Sequence, residues 1–456
     1  MSTNGFTPTK FSSRRRFLKT AAGTAAGAMS GSLFGLGMSS TAFAETARPP
    51  LGTWPKGSQG DTVFVGLGAP LTGPYSPDGV DLKQGYELAL DQINKGEGIG
   101  AHWDTMAGKK GVLGKKVIWD LGDTETDPNT AVQLMTRYIQ QNNAVLISGG
   151  TSSSTSVALA KLGQRAKVLF FAGVSGSNAT TDKDCQRYSF RSQNPAYMVG
   201  AALAPVLAEK IGKKMKAVYL VPDYTYGHSL ADSTAKATEA VGWTTVQKVV
   251  CPVGASDYSP YLINIANSGA DVFVNTCYSG DSVNSSKQAQ EFGILKKMRM
   301  VVPNISPFQA KSLGPEIMGG VYGTLPFWWK MAEMNELAKI FVTTYEQRYG
   351  SKPRWAAHAG YLQMFLWAEA VNRAGTFYPP EIIKTLEKEK RMQTTLGEFY
   401  YRACDHQGIR GVPVVVGKRK DEMKGKDDYY HILHVTPGEK VSVPCSALQC
   451  KMGSYT

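Results

Sequence analysis

The chain has 456 residues, 42% apolar and 10% aromatic, enough to bury sizeable cores and too many for one ordinary domain of about 100 to 200 residues. With 48 glycines, 23 prolines and only 19% charged residues, the composition is that of a globular α/β chain and excludes a disordered polymer or a coiled-coil rod. The formal charge is +13, and the five basic residues of positions 1–44, which hold no acid, account for part of it and leave +8.

At the amino end, Ser13-Arg14-Arg15-Arg16-Phe17-Leu18-Lys19 precedes a mildly apolar stretch from Thr20 to Phe43 and the sequence Ala42-Phe43-Ala44. This is the pattern of a twin-arginine export signal with an A-x-A cleavage site. The many Gly and Ser residues, among them Gly23, Gly27, Ser30, Gly31 and Gly35, keep the stretch below membrane-span hydrophobicity. The Tat translocase is therefore an expected partner during export, and a soluble mature chain from Glu45 is expected in the periplasm. Residues 45–60, with Pro49-Pro50, Pro55 and several glycines, read as a linker.

Structure begins near Asp61. Thr62 to Leu67 reads as a strand, Gly68 to Gly79 as a Gly/Pro-rich loop and Val80 to Asn94 as a helix whose Leu82, Tyr86, Ala89, Leu90 and Ile93 share a face. The cycle recurs at Lys116–Leu121 and Asn129–Gln141, at Ala144–Ser148 and Ser152–Arg165, and at Val168–Ala172. A second series follows Arg191: helix 196–211, strand Ala217–Val221, helix Ser229–Ala240, strand Thr244–Val250, helix 258–267, strand Asp271–Asn275, helix 282–292 and strand Met300–Pro303. Helices 333–349, 356–374 and 380–390 come next, and then a β-rich tail with Val412–Val416 and Tyr429–Val435. Short apolar strands alternating with helices imply parallel sheets covered on both faces, and two such doubly wound units place their binding edges at the carboxyl ends of the strands.

Six cysteines enter an oxidising compartment and allow up to three disulfides. Cys404 with Cys445 or Cys450 is the preferred bridge, because it ties down a long tail. No C-x-x-C pair is present, which argues against a thiol redox site.

Enzyme motifs fail at identifiable positions. After Gly66-Leu67-Gly68 a third glycine is missing at Leu71, Lys116 stands where a phosphate loop needs Ser or Thr, and Gly173-Val174-Ser175-Gly176-Ser177 misses the nucleophile elbow at its last residue. Strand alternation sends His431 and His434 to opposite faces. No metal, cofactor or catalytic activity is expected. The lysine clusters 213–216 and 296–297 read as solvated faces, so no nucleic-acid surface is expected either. What stands out is a set of polar loops at the carboxyl ends of strands. Gly149 to Ser156 and Gly173 to Asn178 lie in the first series, and Asp223 to Gly227 and Cys277 to Asp281 in the second. Hydroxyls, backbone N–H groups and a helix amino terminus suit a carboxylate or carbonyl oxygen, and two polar half-sites facing a cleft describe a small-molecule clamp.

The chain resembles the periplasmic solute-binding proteins of ABC importers, in the branched-chain amino acid/amide (Leu/Ile/Val-binding) family, over roughly 61–410. The resemblance rests on Gly68-Ala69-Pro70-Leu71-Thr72-Gly73-Pro74 before a helix ending Asp91-Gln92-Ile93-Asn94, and on Gly114-Lys115-Lys116-Val117 and Asp127-Pro128-Asn129-Thr130-Ala131. It continues through Thr151 to Thr155, Tyr226-Gly227, Asp257-Tyr258-Ser259, Gly269-Ala270-Asp271 and Asp405-His406-Gln407. It implies a type I periplasmic binding protein fold: two doubly wound α/β lobes joined by three crossovers, near 186–192, 323–330 and 396–400. Lobe one then comprises 61–185 and 330–396, and lobe two 192–325 and 400–456.

It also implies a monomeric, non-enzymatic protein that takes a branched-chain amino acid, an amide or a related organic acid and delivers it to an ABC permease in the inner membrane. A sensory receptor module of the same fold and a secreted hydrolase are the rivals. Ser152, Ser153, Ser175 and Ser177 are placed on the ligand's carboxylate or amide, and Tyr226 and Tyr278 at aromatic positions of lobe two. Asn304 stands where the family usually has an acid for the ligand's ammonium. A neutral amide cannot replace that anion, so Asp78, Asp223 or Asp281 must, or the ligand differs. Segment 96–115 is longer than usual, and its His102 and Trp103 either border the cleft or decorate the surface.

Overall fold

A computed structural model describes residues 48–456; the expected export segment lies outside the described residues. Strand β1 (Thr62–Ala69) is buried along seven of its eight residues, as its unbroken apolar run requires of a strand covered on both faces. It runs into helix α1 (Ser76–Lys95), and the alternation continues with β2 (Lys116–Asp123), α2 (Pro128–Asn142), β3 (Leu146–Gly149), α3 (Ser153–Ala166), β4 (Leu169–Ala172) and β5 (Ser189–Arg191). These strands form a parallel five-stranded sheet in the order β2-β1-β3-β4-β5.

The second lobe opens with α4 (Ala196–Lys210). It proceeds through β6 (Lys216–Pro222), α5 (Thr225–Ala240), β7 (Thr244–Cys251), α6 (Ser259–Ala266), β8 (Val272–Asn275), α7 (Ser279–Glu291), β9 (Arg299–Asn304), α8 (Pro307–Leu313), α9 (Pro315–Met318) and β10 (Tyr322–Thr324). The chain then returns to lobe one for α10 (Glu336–Tyr349), α11 (Trp355–Ala374) and α12 (Pro379–Leu386). A small antiparallel sheet follows, β11 (Met392–Thr394), β12 (Gly397–Tyr401) and β13 (Gly408–Ile409), and after it the chain re-enters lobe two as β14 (Val412–Gly417) and β15 (Tyr430–Thr436). The second sheet has the order β15-β14-β10-β9-β8-β6-β7, parallel except for its last two strands in sequence. Two doubly wound α/β lobes with three passages between them are thus the architecture. The third passage runs through 402–411, later than 396–400, because Gly397–Tyr401 is held in the small sheet.

Two glycines set the spacing of lobe one. A Cβ on Gly85 of α1 would meet the Ala357 carbonyl oxygen at 1.9 Å, and one on Gly360 of α11 the Leu82 oxygen at 2.7 Å, so the helices touch backbone to backbone. The long segment 96–115 packs against the same helix pair. Trp103 donates its indole N–H to the Gln393 carbonyl at 3.0 Å and meets Phe365 edge to face, whereas His102 is exposed; neither borders the cleft. Linker residues dock rather than wander: Thr53 bonds the Ala144 carbonyl and Trp54 packs on Tyr378.

The disulfides are Cys404–Cys445, one of the two pairings offered for Cys404 from sequence, and Cys185–Cys450, which takes the other candidate partner; Cys251 and Cys277 are buried thiols. The tail they secure ends in a polar knot. Glu387 accepts hydrogen bonds from Arg187 at 2.6 Å, His406 at 2.8 Å and the Tyr455 hydroxyl. Burial works to raise its pKa, but the bonds from His406, Tyr455 and Arg187 outweigh it and hold the carboxyl down at about 2. Asp428 is likewise held at about 2, with burial outweighed by Lys330 and Lys418. A folded-state pKa below the unfolded one means that the stabilisation is complete above the ordinary carboxyl range and is lost as pH falls from about 4.5 towards about 2. Urea midpoints measured between pH 5 and 3 should therefore fall with acid, and Glu387→Gln should flatten that slope. An unchanged slope in the variant excludes Glu387 as its source.

Candidate functional site

Strand carboxyl ends of both lobes converge on one cleft. From lobe one come the loop after β1 with the start of α1, the loop Gly150–Ser152 leading into α3, and the loop 173–177 after β4. From lobe two come the starts of α5 and α7 and the end of β9. The lobes meet through hydroxyls: Ser154 Oγ lies 3.1 Å from Thr225 Oγ1, Ser177 Oγ 3.0 Å from Ser229 Oγ, and Asn178 donates to Ser233 at 2.9 Å.

The four serines expected from sequence all line up on the lobe-one side, but they do different work. Ser152 occupies the N-cap position of α3, and its side chain makes no capping bond. Ser153 Oγ accepts from the Ser177 N–H at 3.1 Å and from the Ser175 hydroxyl at 3.1 Å, and Ser175 also lies 2.8 Å from Thr180 Oγ1. Ser153 and Ser175 thus spend their hydroxyls on fixing the 173–177 loop against the α3 terminus. Ser177 caps the following turn through Ala179 N–H and reaches across to lobe two.

On the facing wall, Tyr226, Tyr278 and Asn304 are brought together as expected. Tyr226 lies so close to Gly176 that a Cβ there would sit 2.5 Å from its ring. Tyr226 and Asn304 line a small cavity of about 10 Å³ with Val174, Gly176, Asn194 and Trp355. Tyr278 stands beside it, edge-on to Trp355 at 5.9 Å and to Tyr75 at 5.2 Å. Tyr224 completes an aromatic arc, 6.1 Å from Tyr75 and 6.3 Å from Tyr226.

Of the three acids offered as replacements at Asn304, the structure brings only Asp78 to this junction. Asp223 is exposed and pairs with His228 at 2.8 Å. Asp281 turns both oxygens to the Gly254 N–H. Asp78, on the first turn of α1, is 1% exposed, and its oxygens approach the Ser279 and Tyr278 hydroxyls without a hydrogen bond of full geometry. Its carboxyl is pushed up by burial, opposed by the Arg354 guanidinium, and it faces Ser279 and Tyr278 of lobe two. The Thr151 hydroxyl is buried without a partner, and those of Tyr75, Tyr278 and Ser279 approach Tyr224 and Asp78 without full hydrogen-bond geometry. Burying a polar group unpaired costs about 1–3 kcal/mol, so a cluster of weakly satisfied groups at one lobe junction points to a bound polar ligand as their missing partner.

Sequence reasoning placed Thr151 and Ser279 in the polar loops of the cleft without giving them a role, and missed Tyr75, Trp355 and Arg354. Tyr75 directly follows the Gly73-Pro74 turn and was within reach. Trp355 and Arg354 arrive from a segment some 280 positions away, and nothing local marks them. Among the described residues, no group of three or more His, Cys, Asp or Glu side chains gathers as a metal site, and no helix is long and apolar enough to cross a membrane.

The family model described as periplasmic binding protein matches residues 62–422. Among curated proteins, Leu/Ile/Val-binding protein homolog 8 of Brucella suis biovar 1 is 27% identical over 375 residues, covering 78% of this chain and 84% of its own. Homolog 7 of Brucella abortus is 26% identical over 325 residues, 69% of this chain and 78% of its own. Two solved structures share the fold. A periplasmic binding protein from Burkholderia mallei has a TM-score of 0.77 at 22% identity, covering 86% of this chain and 98% of that one. An amino acid ABC transporter substrate-binding protein from Pseudomonas fluorescens Pf-5 has a TM-score of 0.76 at 24% identity, covering 86% and 99%.

Proposed function

The chain belongs to the periplasmic binding protein family, and from that premise we propose that it is the solute-capturing component of an ABC importer, exported to the periplasm and acting there as a monomer. Its ligand is a small amino-acid-like zwitterion held between the lobes, and the closed form delivers it to a membrane permease. The observation that carries this reading is the Asp78 carboxyl, buried at the lobe junction without a hydrogen bond of full geometry and facing the Tyr278 and Ser279 hydroxyls of the other lobe. A ligand ammonium would add well-aligned donors and a second positive charge, beside Arg354, to this buried carboxyl. The α3 amino terminus, with Thr151 and Ser152, suits the ligand carboxylate, since backbone N–H groups and the helix dipole favour an anion there. Tyr226, Tyr278 and Asn304 form the wall against its side chain, while Ser153, Ser175 and Ser177 hold the loops in place. A ligand contacting both lobes binds the closed arrangement more tightly than the open one, and that difference drives closure.

Leucine and related amino acids are expected to bind in isothermal titration, and Asp78→Asn to weaken them by about 3 kcal/mol, roughly 100-fold, as loss of one partner of a buried charge pair does. If the variant binds amino acids as the parent does, or if only neutral amides and simple acids bind the parent, the assignment of Asp78 to an ammonium is wrong.

A further inference from the structure

A second cavity, of about 510 Å³, lies beside the cleft, and the functional reading above does not use it. Lobe one supplies α1, Tyr345 of α10 and the loop 351–354. Lobe two supplies Phe308 and Lys311 of α8 together with Tyr429, and Trp328 and Trp329 of the second passage form its floor. The volume is in the range of small-molecule sites, and five aromatic rings, Phe308, Trp328, Trp329, Tyr345 and Tyr429, line it. Trp328 packs 5.4 Å from Trp329 and 6.2 Å from Tyr429.

The polar inventory of these walls is one-sided. The two lining acids already have partners. Asp81 accepts from the Ala357 N–H at 2.7 Å and the Tyr345 hydroxyl at 3.3 Å and pairs with Arg354, and Asp427 accepts from the Tyr429 hydroxyl at 3.2 Å. The donors are not all used. The Trp328 indole N–H is buried without an acceptor, and the exposed Lys311 makes no ion pair among the described residues. Lys352, although paired with Glu346 at 2.5 Å, keeps its ammonium 5.0 Å from the centre of the Trp329 ring, and the Arg354 guanidinium lies 5.9 Å from that of Phe308. An unpaired lysine and a free indole N–H beside tilted aromatic rings select an acceptor-bearing anion carried on a flat apolar body.

We propose that this groove is a second binding site, for a planar aromatic carboxylate, separate from the inter-lobe cleft. Because its walls come from both lobes, occupancy favours the same closed arrangement as the cleft ligand, and Arg354 stands between the two sites, facing Asp78 and Asp81 on one side and Phe308 on the other.

The test is fluorescence and calorimetric titration of the full chain with 2-naphthoate, the share of the quenching that belongs to the groove among the eight tryptophans being read from Trp329→Leu. Saturable quenching is expected. 2-Naphthol, with the same rings and no carboxylate, should bind about tenfold more weakly, and Lys311→Met and Trp329→Leu should each weaken the naphthoate about tenfold. Lys311 is exposed, so its variant reports on binding without a folding defect. The cleft variant Asn304→Ala should leave naphthoate affinity within about twofold. The proposal is overturned by absence of saturable quenching, by equal affinity for naphthol and naphthoate, or by loss of naphthoate in Asn304→Ala with retention in Lys311→Met. That last result assigns the ring to the cleft and leaves the solute-binding reading intact.

Discussion

Arg410→Leu is expected to lower the unfolding free energy by about 3 kcal/mol, more than any surface change in this chain. Arg410 is 3% exposed and sits on the third passage between the lobes. Its guanidinium donates to the Ser192 carbonyl at 2.9 Å, to the Pro326 carbonyl at 3.1 Å and to the Gln193 side chain. Ser192 and Gln193 belong to the first passage and Pro326 to the second, so one side chain pins all three. Burial without a carboxylate pulls its pKa down to about 9, which leaves it charged at neutral pH. Leucine fills most of the space but leaves three acceptors unpaired, at about 1–3 kcal/mol each; the regained solvation of the charge offsets part of this.

The urea midpoint should drop while its slope stays constant. Arg410→Lys, which keeps the charge but lacks the planar fork, should fall between parent and Leu. A loss below about 0.5 kcal/mol for Leu would move the burden to Arg191. That residue is fully buried and bonds Gln407 at 2.7 Å, with the Ser177 carbonyl and Thr181 completing its fork.

Neither hinge arginine was legible in the sequence, and the reason is physical. A lone arginine in a polar stretch reads as solvated, and what buries these two is a set of acceptors, several of them carbonyls that carry no sequence information, up to about 220 positions distant. The lobes themselves were legible, because β1 to β4 and β6 to β9 recur at βα spacing with polar loops at their carboxyl ends, whereas the three-residue β5 and β10 carry no apolar run and were not foreseen. Helix starts were less so. Helices α5 and α7 begin at Thr225 and Ser279, one turn before the apolar periodicity at Ser229 and Ser282. Their first turns hold Gly227 and Gly280, poor helix formers kept for close approach: a Cβ on Gly227 would meet the Pro222 oxygen at 2.0 Å. Those first turns carry Tyr226 and Ser279, so the error in helix starts fell on the cleft. Asp78 was named from sequence as one acid among three, and only the fold separates it from Asp223 and Asp281.

Breaking Cys185–Cys450 is expected to destabilise the chain by about 5 kcal/mol, and breaking Cys404–Cys445 by about 4 kcal/mol. Restraint on the unfolded chain grows with the logarithm of the loop closed, and the separations are 265 and 41 residues. The longer bridge draws the tail from lobe two to lobe one, where Arg187 donates to the Gly453 carbonyl at 3.0 Å and Tyr188 to the Tyr455 carbonyl at 2.5 Å. The shorter bridge anchors the same tail at the third passage, where Arg402 donates to the Val443 carbonyl at 2.6 Å. Urea titration of the Cys185→Ser/Cys450→Ser and Cys404→Ser/Cys445→Ser pairs ranks the two. If the first pair loses less than the second, the last dozen residues detach locally without unfolding the lobes. The bridge then acts as a strap on the hinge side, and its readout moves from stability to the ease of lobe opening. Cys251 and Cys277, buried with their sulfurs 4.0 Å apart, provide the control: as free thiols in both variants, they should leave the ranking unchanged when replaced together by alanine.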